Sequence, residues 1–338
     1  GVFSTASGTS WGPKISELPN DATYGGNTDN EYTQKFGKQQ GKYYVPQRAA
    51  AGLDPWATPQ AYDNAKDFFD TGITWSNSLN VAQMLDKSSY SISLGNTHQD
   101  GIISSTGMDR YNVKVSADTK LTNNWSSGFT ANYITTSIDK AVTSGNGLLR
   151  TVYAAPPSYD LAGIPSHVDG NPYTQNSFRG SFDNAYWAME NKKFTEDTNR
   201  FFGNVYASYQ TDFGTTNHKL NAKYMVGVDA YTTHYVDSYG YGSNTGGGRG
   251  QIENYGWTNA TYNSLLTINY DWHINEDWGL NAVVGNEIIQ SNRKKYYEYG
   301  TNYNFPGWNH INNATTQQTE EETWKNRTVG FFGNVSAS

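Results

Sequence analysis

In DRYNVKVSADTKLTNNWSSGFTANY, residues 109–133, apolar side chains recur at every second position. Tyr111, Val113, Val115, Ala117, Thr119 and Leu121 share one parity, with Asn112, Lys114, Ser116, Asp118 and Lys120 between them. Successive side chains of a β-strand point to opposite faces, so this pattern predicts a strand with one apolar and one polar face. Thr122-Asn123-Asn124 interrupts it with turn-forming residues. Trp125, Phe129, Ala131 and Tyr133 then resume the apolar parity, opposite Ser126, Gly128, Thr130 and Asn132. Two such strands joined by a short polar turn predict an antiparallel hairpin.

The same unit recurs on both sides. Upstream, 75–83 and 89–98 flank Asp86-Lys87-Ser88. Downstream, Phe201, Val205, Ala207 and Tyr209 lead through a polar link at 211–217 to Leu220, Ala222, Tyr224, Val226, Val228 and Ala230. Tyr262, Leu266, Ile268, Tyr270 and Trp272 then turn at Ile274-Asn275-Glu276-Asp277 into Trp278, Leu280, Ala282 and Val284. A last strand is expected from near Arg327, giving about nine strands in all. The links near Asp86, Asn123, Gly214 and Asn275 are tight, whereas those at 99–108, 137–198, 233–256 and 292–326 are longer. Antiparallel hairpins put every second connection at the same end, so short turns gather at one end and long loops at the other. The expected fold is all-β: an antiparallel transmembrane β-barrel segment with long extracellular loops. Trp125, Tyr209, Tyr270, Trp272 and Trp278 fall at strand ends beside the tight turns, where an interfacial aromatic girdle belongs.

Composition agrees. Only 36% of the 338 residues are hydrophobic while 15% are aromatic, and no run approaches the ~20 apolar residues of a membrane helix. Strands that are apolar on one side average out as polar, so a barrel stays open. There is no cysteine, which removes disulfide frameworks and thiolate metal sites. The net charge of -7 argues against phosphate neutralisation on a nucleic acid. The chain starts at Gly1 and stops at Ser338 inside a predicted strand, and reads as a fragment of a longer protein.

Candidate chemistry is sparse. His98, His167, His218, His234, His273 and His310 show no metal-ligand spacing and are expected in solvated loops or turns. The Gly-rich run at 242–250 lacks the Gly-Lys-Ser/Thr ending of a phosphate loop and reads as an extracellular loop. Glu320-Glu321-Glu322 reads as a solvated acidic loop. No catalytic set, metal site or cofactor site is expected. Aromatics predicted in the long loops could stack on sugars or grip peptide side chains. Trp187, Tyr186, Trp308 and Trp324 are the candidate substrate-binding residues, with Tyr153 and Tyr159 beside them and Trp56 ahead of the first strand.

Several short motifs carry a resemblance. Tyr90-Ser91-Ile92-Ser93-Leu94-Gly95-Asn96 continues through His98-Gln99-Asp100-Gly101-Ile102-Ile103 into Arg110-Tyr111-Asn112-Val113. With Ser10-Trp11-Gly12-Pro13-Lys14, Asp67-Phe68-Phe69-Asp70-Thr71-Gly72, and Tyr186-Trp187 followed by Asp197-Thr198-Asn199-Arg200-Phe201-Phe202-Gly203-Asn204, this resembles the SusC/RagA-like family of TonB-dependent outer-membrane transporters. Phe201-Phe202-Gly203-Asn204-Val205 also recurs at Phe331-Phe332-Gly333-Asn334-Val335. The resemblance implies a barrel of some 22 strands around a plug, of which residues 1–338 would be part of the wall, without plug or closing strands. It further implies TonB-energised import of a glycan oligomer or peptide across the outer membrane, and a SusD-like surface lipoprotein as partner. No enzymatic activity is expected. The alternative from the residues alone is a soluble β-sandwich or propeller that binds or hydrolyses carbohydrate.

Overall fold

The computed structural model describes residues 13–141, 148–214 and 217–338. Ser10, Trp11 and Gly12 of the first motif lie outside the described residues. Nine strands form one antiparallel sheet in which every strand pairs with its neighbours in the chain. They are β1 (Thr74–Met84), β2 (Ser88–Asp100), β3 (Gly107–Lys120), β4 (Trp125–Lys140), β5 (Lys192–Thr211), β6 (His218–Tyr239), β7 (Gln251–His273), β8 (Gly279–Tyr303) and β9 (Ala314–Ala337).

The tight turns form where the sequence places them. Asn275 Oδ1 accepts from the backbone N–H groups of Asp277 and Trp278 at 3.0 and 2.9 Å, an Asx turn between β7 and β8. Thr122 Oγ1 accepts from the N–H groups of Asn124 and Trp125 in the same way. The aromatic residues beside these turns cluster: Trp125 lies 5.0 Å from Tyr209, and His218 stacks on both Tyr270 and Trp272.

At the other end the strands run further than expected. β6 continues to Tyr239 and β7 begins at Gln251, so the link predicted at 233–256 shrinks to 240–250. β8 reaches Tyr303 and β9 starts at Ala314, so the link predicted at 292–326 shrinks to 304–313. The acidic triplet Glu320-Glu321-Glu322 and Trp324 are therefore in a strand, not a loop. The reason is visible in the residues. Beyond about residue 232 in β6 both faces carry polar and aromatic side chains, so the period-two contrast vanishes while Tyr, Thr and Trp keep a high strand propensity.

Register makes the apolar face continuous. Leu94 pairs with Val113, Val115 with Ala131, Phe129 with Val205, Val205 with Val226, Tyr224 with Leu266, Ile268 with Val284 and Ala282 with Val335. This band stays uncovered even on strands paired on both sides: Val205 is 53% and Val284 55% exposed. The remaining sheets among the described residues are two-stranded pairings at Tyr43–Tyr44 with Trp56–Ala57 and His167–Val168 with Asn171–Gln175. Among the described residues no second sheet covers the band, as a sandwich or propeller would require. No helix of the described residues is long and apolar enough to cross a membrane.

The main buried core lies elsewhere, in a cap at the long-loop end. Residues 13–73 and 148–191 supply it, with short helices α1 (Glu31–Phe36), α2 (Pro46–Ala50), α3 (Asn64–Phe68), α4 (Leu148–Ala154) and α5 (Ala185–Asn191). Tyr43, Val45, Phe68, Val152, Tyr159, Leu161 and Trp187 are buried together with Ile103 from the β2–β3 link. The segment before β1 is pinned to that link by the Asp70 N–H, which donates to Ile102 O at 2.8 Å.

Candidate functional site

Two arrangements could meet a ligand: the cap with its anchored loops, and the polar face of the sheet beneath it.

The cap is tied to the sheet through Asp183. Its carboxylate accepts from Gln175 Nε2 at 2.7 Å, from Ser243 Oγ at 2.7 Å and from the Asn244 N–H at 2.8 Å, and pairs with Lys192 Nζ at 2.8 Å. One carboxylate therefore holds the 148–191 segment, the start of β5 and the Gly-rich 240–250 link in one place. Burial pushes the Asp183 carboxyl up, but the Lys192 ammonium and the donated hydrogen bonds outweigh it and hold it below the usual carboxylate range. Gly242, at φ 95°, passes so close to the Tyr173 backbone that a Cβ would strike Tyr173 O, with the Trp187 ring next to it.

Three of the four predicted binding aromatics have other surroundings than expected. Trp187 is in α5 with no exposed surface, and its Nε1 donates to Pro172 O at 2.8 Å. Asn184 caps that helix, and Asn184 Oδ1 accepts from the Tyr186 N–H. Trp187 is a core residue that offers a ligand nothing to touch. Tyr186 packs edge-on against Phe68 at 5.4 Å and donates its hydroxyl to Asp67 O at 3.3 Å, leaving it half-buried. Trp324 stands on β9 and not in a loop. Trp308 does lie in a loop, stacked on Phe305 at 5.8 Å and 5.0 Å from His310. It borders a cleft of about 540 Å³ shared with Lys193, His234 and Asn254. Tyr159 and Trp56 are buried; Tyr153 is exposed.

Sequence reading misses the richest surface, because it lies on strand extensions taken for loops. On the polar face Tyr235 of β6 stacks on Tyr255 of β7, with centroids 4.8 Å apart and planes at 9°. Trp257 lies 5.6 Å from Tyr235, and Tyr297 of β8 lies 6.3 Å from Tyr255. Lys140 pairs with Glu196 and sits over the rings of Phe194 and Tyr235 at 5.1 and 5.0 Å. At the other side Arg293 lies over Trp257 at 5.3 Å and over Trp324 at 5.7 Å. The signal was present as Tyr and Trp at matching parity, Tyr235, Tyr255, Trp257 and Tyr297, hidden by polar neighbours of equal strand propensity.

Acidic groups border this ladder. Asp237 and Glu253 are cross-strand partners. Burial, then the facing Glu253 carboxylate, push the Asp237 carboxyl up to about 6, against an opposing pull from Lys192. Further down the polar face Arg200 grips Asp229 with two hydrogen bonds at 2.8 and 2.6 Å beside a groove of about 440 Å³ that includes Lys114, Asn132, Asn204 and Asn263. Three of the histidines stand on strands with partners, not in solvated loops: His98 lies 2.7 Å from Asp109, His218 2.7 Å from the Tyr270 hydroxyl, and His234 bonds the Tyr296 hydroxyl, whereas His310 is exposed in the 304–313 link as expected. The face is thus a stacking and hydrogen-bonding surface with fixed charges.

No protein-family model matches the chain, and no curated protein sequence matches it. Solved structures do match. A chain of the RagAB peptide importer in its closed-closed state superposes with a TM-score of 0.65 at 15% identity, over 82% of this chain and 31% of that one. The fold is that of a segment of this transporter. The open-open state gives the same TM-score, identity and coverages, and a further RagAB peptide transporter structure gives 0.63 at 14% identity. The chain spans about a third of the length of those chains. At this level of identity the likeness is one of fold.

Proposed function

We propose that the chain is a wall segment of an outer-membrane transporter, with the apolar band facing lipid and the polar face lining the passage. The observation that carries this reading is the height of the band. It covers 201–209 on β5, 220–230 on β6, 262–272 on β7 and 280–288 on β8, always starting beside the tight turns. A tilted strand crosses the hydrocarbon layer in about 9–11 residues. The strands then continue past the band, up to 25 residues in β8, and carry the aromatic ladder and the cap outside the membrane. The girdle at the turns fits the inner boundary.

In this reading the substrate is an oligomeric nutrient, a peptide or a glycan, that passes the cap and meets Tyr235, Tyr255, Trp257, Tyr297 and Trp324. The fold likeness to a peptide importer supports import, and the ladder suits stacking on apolar faces. A SusD-like lipoprotein over the cap and TonB-driven movement of a plug complete the proposal, and nothing in the chain is asked to do covalent chemistry.

Topology tests it. The chain has no cysteine, so single cysteines report position without background from this region. In the full-length protein on intact cells, Asn309→Cys in the 304–313 link should react with a membrane-impermeant maleimide. Asn124→Cys in a tight turn should react only after the outer membrane is permeabilised. Equal labelling of both on intact cells contradicts the reading.

A further inference from the structure

The rim of the apolar band is acidic on one side of the sheet and basic on the other. Just beyond the band, on the same face, β3, β4 and β5 carry Asp109, Asp139 and Asp197. On β8 and β9 the corresponding positions are Lys294, Lys325 and Arg327. Their face follows from register: Ile288 pairs with Val329 in the band, and Lys294, Lys325 and Arg327 keep that parity. Arg327 and Lys325 precede Val329 by two and four positions on the outward side, so they stand roughly 7 and 13 Å beyond the last apolar side chain of β9. Lys294 opposes Thr323, diagonal to Lys325.

Lys294, on a strand paired on both sides, is exposed, and Lys325 and Arg327 stand beside it on β9, the last strand of the described sheet. Lys294 has a single acidic neighbour, Glu321 at 2.9 Å, and Arg327 is held by the neutral Gln290 side chain at 3.0 Å. Three cations against one carboxylate leave a net positive patch on a chain whose formal charge is -7. A charge surplus at this height has little to do for a neutral lipid surface. It matches anionic headgroups, which attract basic side chains close to the membrane.

We propose that Lys294, Lys325 and Arg327 form a site for the phosphate groups of a membrane lipid headgroup, seated at the outer edge of the apolar band. The site rests on the reading of that band as lipid-facing. Gln290 fixes the Arg327 guanidinium, whose planar fork suits phosphate oxygens, while the two ammonium groups act as point charges beside it.

The experiment is a binding titration on the full-length, detergent-solubilised protein with three probes: diphosphorylated lipid A, the same lipid dephosphorylated, and inorganic phosphate. Lys325→Gln should weaken binding of the diphosphorylated lipid about fivefold, and the Lys294→Gln, Lys325→Gln, Arg327→Gln triple variant roughly a hundredfold. Glu321→Gln should strengthen it by about fivefold, a gain that a merely structural role would not give. Unchanged affinity in Lys325→Gln and the triple variant, or equal binding of the dephosphorylated lipid, overturns the site. Displacement of the lipid by inorganic phosphate at comparable concentration overturns the headgroup in favour of a free anion. The membrane reading is judged separately, by whether the wild type fractionates with the outer membrane.

Discussion

Lys192 and Asp183 form an ion pair at 2.8 Å with both side chains only 1% exposed. The pair joins the first residue of β5 to the cap, and Asp183 also gathers the 240–250 link. Removing one partner strands a buried charge, which costs about 3–5 kcal/mol. Asp183→Asn should therefore loosen the cap, seen as faster amide exchange and new protease cuts within 175–191 and 240–250. The strands near the tight turns should keep their protection.

The pH dependence of the outer region should have two separate steps. Asp183 is held below the ordinary carboxylate range, so its contribution is full at neutral pH and is lost only as pH falls through that lowered value. Asp237 has the opposite sign. Its carboxyl is raised to about 6, so the penalty for its charge is present above that pH and absent once it is protonated. It lies seven residues past Ala230, about 23 Å along the strand and clear of the apolar band. Between pH 7.5 and 5, protection at the outer ends of β6 and β7, taken relative to the intrinsic exchange rate at each pH, should rise, and Asp237→Asn should abolish that rise.

The aromatic ladder and the cap core should separate binding from stability. Tyr255→Ala or Trp257→Ala removes a stacking partner worth about 0.5–1.5 kcal/mol beyond its area, so substrate affinity in the full-length protein should fall by roughly three- to tenfold with assembly intact. Trp187→Ala should do the reverse. It empties a fully buried site and should cost about 3–5 kcal/mol of cap stability, visible in thermal unfolding before any effect on affinity.

What the sequence revealed and concealed follows from contrast between faces. Val113, Val115, Ala131 and Ile268 alternate with Asn, Lys, Ser and Thr, so strand, face and turn were legible there. In 233–256 and 292–326 the alternation is between polar and aromatic side chains, and strand ends blurred into loops. Burial of Trp187 and Tyr159 could not be read, because the cap core is assembled from segments more than a hundred residues apart, as in Tyr43 donating to Ser158 O. Trp308 lies exposed in the 304–313 link, a loop in the sequence as in the structure, directly after Gly307 at φ 85°.

The most direct measurement places arginine at two adjacent residues of one depth and opposite faces. Ile268 belongs to the apolar band and Asn269 to the polar face of β7. An arginine on the lipid face near mid-membrane costs about 2–4 kcal/mol. In the full-length protein, Ile268→Arg should sharply reduce the fraction assembled in the outer membrane, while Asn269→Arg should assemble close to wild type. Equal assembly of the two variants, or selective failure of Asn269→Arg, would contradict the assignment of the apolar band to lipid.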